Sequence, residues 1–518
     1  MIRIDDVSFR YANTPILRLE RVSFEIGEGE LCLVVGPTGS GKSTLLGCIN
    51  NLVPRFTGGV RYGRVFIDGV DTTSLLPRQL ATTVGYVGQD PVAGFVTDIV
   101  EDELAYSMEQ LGFEPAEMRR RVEETLDLLG ISDLRDRPLR TLSGGQQQRV
   151  AIGSVLASSP RILVLDEPTS ALDPIAAEEV LATISRLVRD LGTTVVIAEH
   201  RLERVIEFAD SLLLVGDGVL HGDTREVLRS SPIQPPLVEL GVAMGWHPLP
   251  LTIREGRRMS AAERGVWSAE PPTLPRPPAA SERALVARGI VVRYPEKLAV
   301  SDVDVTLHKG EVAALMGRNG CGKSSLLWAV HGAGRVDGGT VDTTGPIALV
   351  PQTPADLLFL TSVRAECDAG DAASSLAPGS TLALLRRLVP GIEEDAHPRD
   401  LSEGQKLAVV LAVELAGNPP VVLLDEPTRG LDYAAKAELC RIIGRLAEEG
   451  RAVLIATHDV EMVAQSCSRV IVMAEGEIVS DGPTREILSK SALLATQVAK
   501  LARPTPLLTV EEFIDAAR

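Results

Sequence analysis

Two nine-residue strings in the sequence have the residue types and spacing of a phosphate-binding loop. Both match G-x-x-x-x-G-K-[ST], in which the glycines let the backbone curl so that successive N–H groups point inward. The strings are Gly36, Pro37, Thr38, Gly39, Ser40, Gly41, Lys42, Ser43 and Thr44, and Gly317, Arg318, Asn319, Gly320, Cys321, Gly322, Lys323, Ser324 and Ser325. Each follows an apolar run predicted to be a buried strand and precedes a predicted helix, whose N-terminus favours an anion. We therefore predict two triphosphate sites, in which the lysine reaches the β- and γ-phosphates and the following serine holds Mg²⁺.

Two acidic dipeptides supply groups that hydrolysis of a phosphate needs. Asp166 and Asp425 each end an apolar run, LVLD and VLLD, where a carboxylate can hold Mg²⁺ through its water shell. Glu167 and Glu426 follow directly and are placed to orient or deprotonate an attacking water. Acids at strand ends also serve as helix N-caps. The shared context L-D-E-P-T favours the catalytic interpretation.

The order of motifs occurs twice, so the sequence predicts two domains of the same fold. A glutamine after a strand-like run, then LS-x-GQ, LDEPT and a strand-end histidine recur, and from LS-x-GQ onward the copies are about 259 positions apart. Short aliphatic runs alternate with helical segments, which indicates an α/β fold with a mostly parallel sheet core in each copy. We also expect a small antiparallel β subdomain, shorter in the second copy, and a helical subdomain around LS-x-GQ.

The domain boundaries follow from the repeat and from composition. We predict a first domain over residues 1–229, a Pro-rich tail and linker over 230–283, a second domain over 284–485 and a C-terminal helical tail over 486–518. The string LVELGVAMG is expected to be an ordered tail of the first domain. PPTLPRPP is typical of a stiff linker.

The overall composition argues against several classes of function. The formal net charge of −18 over 518 residues argues against nucleic acid as the main partner, because phosphate binding needs a basic face. The six cysteines form no C-x-x-C pair, so neither a zinc site nor a disulfide framework is predicted. The sequence has no run of 18 apolar residues. Any work at a membrane would therefore need a partner that spans it.

With LS-x-GQ between a phosphate-binding loop and L-D-E-P-T, the chain resembles the ATP-binding-cassette ATPases, with two nucleotide-binding domains fused in one polypeptide. The resemblance implies ATP and Mg²⁺ as ligands and intramolecular pairing of the cassettes, each ATP lying between the loop of one and the LS-x-GQ signature of the other. The signature residues implied to bind nucleotide are Ser143, Gly144, Gly145 and Gln146, and Ser402, Glu403, Gly404 and Gln405.

The same resemblance assigns roles to three further pairs. Gln89 and Gln352 would contact Mg²⁺ and the attacking water, and would sense a membrane partner. His200 and His458 would reach the γ-phosphate. Tyr11 and Tyr294 would stack on adenine, although core packing is the simpler interpretation of a single tyrosine at that distance from the loop.

A finer resemblance is to the ATPase subunits of energy-coupling-factor importers, which take up vitamins and transition-metal ions. It rests on residues 89–112, on EHRLE at 199–203 and on QTPADLLFLTSVRAE at 352–366. It implies a transmembrane coupling subunit that docks after each glutamine, a separate substrate-binding membrane subunit, and a location on the cytoplasmic face of the cell membrane. The second copy departs from the pattern in its shorter β insertion and in LSEGQ in place of LSGGQ.

Two other classes of ATPase stay open as alternatives. Soluble twin-cassette proteins that act on ribosomes typically carry a basic helical linker, whereas this linker is Pro-rich and near neutral. DNA-repair ATPases should show zinc-binding cysteines inserted in the cassettes, and this sequence has none.

Three local features give separate hypotheses. Carboxylates after each glutamine predict acidic docking patches or, equally, solvated helix faces; they are Glu101, Asp102, Glu103, Glu366 and Asp368. Cys321, inside the second loop, predicts a thiol that maleimide modifies selectively and ATP protects. Glu403 replaces a glycine of the signature and predicts unequal ATP sites if its charge faces the triphosphate.

Overall fold

A computed structural model of the chain describes residues 1–12, 14–170, 172–216, 218–262, 282–295 and 297–517. These residues fall into two compact units, Met1–Thr252 and Ile253–Arg518. The string PPTLPRPP lies outside the described residues, and the predicted domain boundaries stay a prediction. None of the helices in the described ranges is both long enough and apolar enough to span a bilayer.

The first unit alternates strands and helices along most of its length. Its strands are β1 (Ile2–Arg10), β2 (Leu19–Ile26), β3 (Leu31–Val35), β4 (Val60–Ile67), β5 (Val70–Asp71), β6 (Val84–Val87), β7 (Ile162–Asp166), β8 (Thr194–Ala198), β9 (Ser211–Val215) and β10 (Val219–Asp223). Its helices are α1 (Lys42–Ile49), α2 (Leu52–Arg55), α3 (Pro77–Leu80), α4 (Val100–Gln110), α5 (Pro115–Leu129), α6 (Gly144–Leu156), α7 (Pro174–Leu191), α8 (Thr224–Ser230) and α9 (Pro236–Ala243).

The main sheet of the first unit places the loops that carry the motifs at one edge. Strands β6, β7, β8, β3 and β9 lie side by side in parallel, and β10 pairs antiparallel with β9. Every side chain of β3, β7 and β8 is buried, as expected for parallel strands covered on both faces. A separate antiparallel sheet has the order β2-β1-β4-β5 and shares one apolar core with α1 and the main sheet.

The second unit repeats this order of elements. Its strands are β11 (Arg283–Tyr294), β12 (Lys297–His308), β13 (Val312–Met316), β14 (Gly338–Thr343), β15 (Ile347–Val350), β16 (Val421–Asp425), β17 (Ala452–Ala456), β18 (Arg469–Ala474) and β19 (Glu477–Pro483). Its helices are α10 (Ile253–Met259), α11 (Lys323–His331), α12 (Val363–Ala373), α13 (Ser380–Leu388), α14 (Glu403–Leu415), α15 (Tyr433–Glu448), α16 (Val460–Ser466), α17 (Thr484–Lys490), α18 (Gln497–Ala502) and α19 (Val510–Ala517).

The predicted fold class is confirmed in both units. The second main sheet has the order β15-β16-β17-β13-β18-β19, parallel except for the β18–β19 pair. Its antiparallel sheet, β12-β11-β14, has three strands where the first unit has four, which is the predicted shortening. At the C-terminal end, Phe513 of α19 is fully buried and Arg485 forms a 2.6 Å ion pair with Glu512.

Candidate nucleotide site

The first phosphate-binding loop connects β3 to α1 in a conformation that depends on its glycines. Gly39 and Gly41 have φ values of 78° and 104°, in the left-handed region that favours glycine. A Cβ at Gly36 would lie 2.2 Å from the carbonyl oxygen of Val215, so no larger residue fits there. Lys42 is buried and donates to the carbonyl oxygens of Gly36 at 2.8 Å and Pro37 at 3.1 Å. The ammonium group thus lies over the loop that would surround a phosphate.

The second loop, between β13 and α11, has the same geometry. Gly320 and Gly322 have φ values of 77° and 109°. Lys323 is buried and donates to the carbonyl oxygens of Gly317 at 2.9 Å and Arg318 at 3.3 Å. Both loops therefore have the curled backbone and the buried lysine at the start of a helix that a phosphate-binding loop needs.

The hypothesis of a reactive thiol in the second loop does not fit its burial. Cys321 is 8% exposed and belongs to the apolar core that contains strands β11, β12 and β13. Its sulfur faces Gly317, where an added Cβ would approach it to 2.7 Å. A maleimide would have to displace this packing to reach the thiol, so Cys321 serves as a small apolar filler of the loop.

Each unit has a buried aspartate beside the loop serine, at the carboxyl end of the second strand from one edge of the main sheet, β7 or β16. Asp166 and Asp425 are both buried, and the Oδ1 atom of each has no hydrogen-bond partner in the described part of the chain. Burial raises the pKa of both carboxyls, that of Asp425 to about 6, while the hydroxyls of Ser43 and Ser324 lower them. The nearby ammonium groups of Lys42 and Lys323 also lower these pKa values, but burial outweighs them, so each site has room for a further positive charge.

This donor set fits Mg²⁺ bound together with a nucleotide. Magnesium uses one or two carboxylates with substrate phosphates and water, and the protein supplies one carboxylate and one hydroxyl in each unit. Within the described ranges no group of three or more His, Cys, Asp or Glu side chains could hold a metal ion by itself. The phosphates of the nucleotide would therefore be needed as the remaining ligands.

Glu167 is held in a strained backbone conformation at the end of β7. Its φ is 53°, which is rare for a residue with a side chain, and its N–H donates to Ala198 at 2.9 Å. Its carboxylate accepts a 3.0 Å hydrogen bond from the amide of Gln89 and lies 2.8 Å from Nε2 of His200. The structure thus brings together three residues that the sequence predicted as catalytic.

Glu426 has a similar arrangement with one difference. Its φ is 47°, its N–H donates to Ala456 at 2.8 Å, and Nδ1 of His458 lies 2.8 Å from its carboxylate. Nζ of Lys323 lies 3.8 Å from the same group. Gln352 is exposed, as is Gln89, whose amide donates to Glu167. The hydrogen bond between glutamine and glutamate is thus seen in the first unit, and the catalytic role of Gln352 stays a prediction.

The two predicted adenine-stacking tyrosines lie in different surroundings. The Tyr11 hydroxyl forms a 2.8 Å hydrogen bond with Thr44 of α1, and its ring packs edge-on against Phe9 at 4.8 Å. Tyr294, at the end of β11, is half-exposed, with 48% of its surface accessible. Tyr294 therefore has a ring available for stacking, whereas Tyr11 combines a place beside the loop with the core packing that was the simpler interpretation.

One pair of cations was missed by sequence reasoning. Arg18 donates to the carbonyl oxygen of Gly39, and Lys297 donates to the carbonyl oxygen of Gly320, the corresponding position of the second loop. The side chains come from the loop before β2 and from the start of β12. A basic residue about 25 positions before each loop lysine was the available signal.

The signature strings begin helices α6 and α14 with the same cap. The Oγ of Ser143 accepts the N–H of Gln146 at 3.4 Å and the Gln146 side chain accepts the N–H of Ser143 at 3.0 Å. Ser402 and Gln405 repeat this capping box at 3.3 and 3.0 Å. Gly145 and Gly404 follow in the first turn, against Leu172 and Leu431.

The surroundings of Glu403 weaken the argument that the two ATP sites differ. Glu403 is the first residue of α14 and is not among the residues with positive φ, so a glycine has no conformational advantage there. Its carboxylate pairs with Lys406 at 2.8 Å. The charge that was expected to repel a triphosphate is therefore partly neutralised within its own helix.

The segments after Gln89 and Gln352 share a geometry that was not predicted. Seven residues after each glutamine, an apolar side chain is exposed: Val96 at 61% and Phe359 at 80%. Fourteen residues after each glutamine there is a buried glutamate. Its carboxylate accepts a hydrogen bond from the backbone N–H next to the exposed apolar residue. Glu103 accepts from Thr97 at 2.8 Å, and Glu366 accepts from Leu360 at 2.6 Å.

The hypothesis of acidic docking patches is therefore corrected for Glu103 and Glu366. Glu103 and Glu366 are buried because they hold the preceding loop, and Glu101 faces Arg135 at 3.7 Å. Asp102 and Asp368 are exposed. In both units, the segment after the glutamine exposes an apolar side chain on a loop, and a buried carboxylate holds that loop. We call the loops that carry Val96 and Phe359 the docking loops, after the partner docking that the family resemblance implies.

Comparison with known proteins agrees with the motifs. The family profile described as "ABC transporter" matches residues 19–170 and 300–429. A Streptomyces coelicolor protein, provisionally named an ABC transporter ATP-binding protein, is 52% identical over 100% of both chains. A Methanosarcina acetivorans protein with the same provisional name is 32% identical over 98% of this chain and 89% of its own.

Solved structures show a similar fold. Archaeal ABCE1, in a model of its ribosome-bound complex with Pelota, matches with a TM-score of 0.65 and 21% identity, over 94% of this chain and 80% of that one. The archaeal ribosome recycling factor aABCE1, in complex with a ribosomal stalk protein, matches with a TM-score of 0.61 and 22% identity, over 94% and 91% of the two chains. At these identities the likeness concerns the fold alone.

Proposed function

This chain belongs to the ABC transporter family of ATP-binding proteins, and from that premise we propose that it is the ATPase subunit of a membrane importer of the energy-coupling-factor type. ATP hydrolysis is the characteristic activity of the family. The imported substrate would be a vitamin or a transition-metal ion, chosen by a separate membrane subunit. The chain would act at the cytoplasmic face of the cell membrane.

The residues of each unit support the first part of this proposal, that the chain hydrolyses ATP. The backbone N–H groups of the loop and the lysine would bind the β- and γ-phosphates. Asp166 with Ser43, and Asp425 with Ser324, would hold Mg²⁺, which would neutralise charge on the phosphates. Glu167 and Glu426 would orient the attacking water and take its proton, each with a histidine nitrogen 2.8 Å away.

The docking loops support the second part of the proposal, that the chain binds a membrane subunit. An exposed phenylalanine costs hydration free energy unless a partner covers it, and each unit exposes an apolar side chain at the same distance from its glutamine. In the first unit that glutamine is hydrogen-bonded to Glu167. A membrane subunit seated on this loop could therefore shift Gln89 and, through it, the catalytic carboxylate.

Replacing Val96 or Phe359 by aspartate is expected to detach the membrane partner. Burying a phenylalanine contributes about 1.5–3 kcal/mol, so Phe359→Asp should lower retention of membrane subunits by about tenfold or more. The measurement is purification of the tagged chain from its own cells in mild detergent, with the copurified proteins identified by mass spectrometry. ATP hydrolysis by the purified chain should change little.

Val479→Asp is the matched control for Phe359→Asp, because Val479 is 61% exposed on β19, at the opposite edge of the second main sheet from β15, the strand that precedes the Phe359 loop. Equal retention of membrane proteins by the Phe359 and Val479 variants would contradict the assignment of the docking surface. Copurification of ribosomes in place of membrane proteins would favour the alternative, a soluble twin-cassette ATPase acting on ribosomes. For that alternative the described structure offers only a likeness of fold.

A further inference from the structure

A buried carboxylate of the first unit lies behind the catalytic glutamate. Glu199 is the first residue after β8 and is 3% exposed. It accepts a 2.8 Å hydrogen bond from the N–H of Thr169, the second residue after Glu167. Strands β7 and β8 are parallel neighbours, so the residues that follow them meet at the same edge of the sheet.

This hydrogen bond joins the turn that carries Glu167 to the neighbouring strand. The turn is closed by the N–H of Ser170 donating to Glu167 at 3.2 Å and that of Leu172 donating to Thr169 at 3.1 Å. Glu167 itself donates its N–H to Ala198, the residue before Glu199. Glu199 and Ala198 therefore fix both ends of a short segment whose first residue has the strained φ of 53°.

The second unit has no acid at the corresponding place. Thr457 follows β17 there, is fully buried, and accepts the N–H of Asp459 at 3.1 Å. The two catalytic glutamates thus share backbone strain and a histidine, and differ in the residue that precedes that histidine. The repeat supplies an internal comparison for the role of Glu199.

The charges that face Glu199 are Glu167, which disfavours a second negative charge, and Arg204 in the following turn, which favours it. Burial, the largest effect, raises the pKa of Glu199 to about 7. The carboxyl group therefore changes its charge near neutral pH, where an ordinary glutamate is fully ionised.

We propose that Glu199 is a positioning residue of the first cassette, whose ionised carboxylate fixes the turn bearing Glu167 and helps Glu167 to accept a proton. An ionised acceptor forms a hydrogen bond roughly twice as strong as a neutral one. A negative charge beside Glu167 also favours proton uptake by that carboxylate. The proposal rests on ATP hydrolysis by the chain and is independent of any membrane partner.

The test compares ATP hydrolysis by the purified wild-type chain and by Glu199→Gln across pH. Glutamine keeps the size of the side chain and an acceptor for the Thr169 N–H, so a purely structural role would be rescued. Both chains also carry Glu426→Gln, so that only the first site turns over. In this background we expect the ratio of kcat without Glu199→Gln to kcat with it to be close to one near pH 6 and to rise to about fivefold near pH 8. Glu199→Thr, which reproduces the second unit, should show the same rise.

Glu203→Gln is the matched control, since Glu203 lies in the same segment and should leave the shape of the profile unchanged. A wild-type to Glu199→Gln ratio that does not vary with pH would overturn the proposal, whether the ratio is one or larger. So would a rise of the same size for Glu203→Gln.

Thermal unfolding provides a readout that needs no activity. A carboxyl whose pKa is raised on folding binds its proton more tightly in the folded chain, so it favours folding at low pH and loses this contribution as pH rises through about 7. The Tm of Glu199→Gln should therefore exceed that of the wild type by a margin that grows from about pH 5 to about pH 8. A constant margin would show that Glu199 does not titrate there and would also overturn the proposal.

Discussion

Replacing both Glu167 and Glu426 by glutamine is expected to lower steady-state ATP hydrolysis by about 10²–10⁴-fold, because glutamine cannot take a proton from the attacking water. Both carboxylates are buried, and each lies 2.8 Å from a histidine nitrogen, whereas the neighbouring carboxylates of Asp166 and Asp425 lie beside the loop serines and are assigned to Mg²⁺. ATP affinity should change little, since the amide has the same size. Phosphate release and calorimetric ATP titration measure the two effects separately.

A control for backbone strain is available in the second unit. Glu475 is an exposed glutamate with a φ of 51°, close to the values at the two catalytic positions. Glu475→Gln changes the same chemical group on the same backbone conformation and is expected to leave hydrolysis unchanged. If the double variant kept more than about a tenth of the activity, the assignment of Glu167 and Glu426 as general bases would be wrong.

The parts of the site that were predictable lie close together in sequence. A loop lysine, its serine and the preceding glycines keep their relations wherever the loop folds, because covalent geometry and helix initiation fix them. The carboxylates at strand ends were predictable for a similar reason, since parallel strands deliver their carboxyl ends to one edge of a sheet. Asp166 and Glu167 are accordingly found beside the loop of the first unit.

The residues that sequence reasoning misplaced depend on contacts between distant segments. Glu103 was expected on a solvated or docking face, but it is buried because the loop before its helix needs an acceptor for the N–H groups of Val96 and Thr97. A charge pattern along one helix contains no information about that loop. Likewise, the pairing of Glu403 with Lys406 was visible in the sequence as an i, i+3 pair, whereas the absence of positive φ at Glu403 was not.

Gly322→Ala is expected to abolish ATP binding at the second site. A Cβ at Gly322 would lie 2.1 Å from the carbonyl oxygen of Ala299 and 2.9 Å from Met473, and its φ of 109° already disfavours a side chain. The carbonyl belongs to β12, so the loop must move instead. Because a displacement of about 1 Å can cost 10²-fold where several groups act together, affinity at this site should fall at least that far.

Gly320→Ala is the control that separates the clash of the added Cβ from the cost of a positive φ. Gly320 also has a positive φ, 77°, but the nearest atom to its added Cβ is Nζ of Lys297 at 3.5 Å, the end of a flexible side chain. Both alanines pay about 1–2 kcal/mol for the left-handed backbone, and Gly322→Ala alone also meets a fixed carbonyl. Calorimetry should therefore show one ATP site lost in Gly322→Ala and a modest weakening in Gly320→Ala.

Gly41 of the first loop provides a case of intermediate overlap between an added Cβ and a neighbouring carbonyl. A Cβ at Gly41 would meet the carbonyl oxygen of Arg18 at 2.9 Å, a less severe overlap than the 2.1 Å at Gly322, with a similar φ of 104°. Gly41→Ala should therefore weaken ATP binding at the first site less than Gly322→Ala does at the second. Equal losses from all three alanines would mean that backbone conformation, and not the approach of a neighbouring carbonyl, determines which residue each loop position accepts.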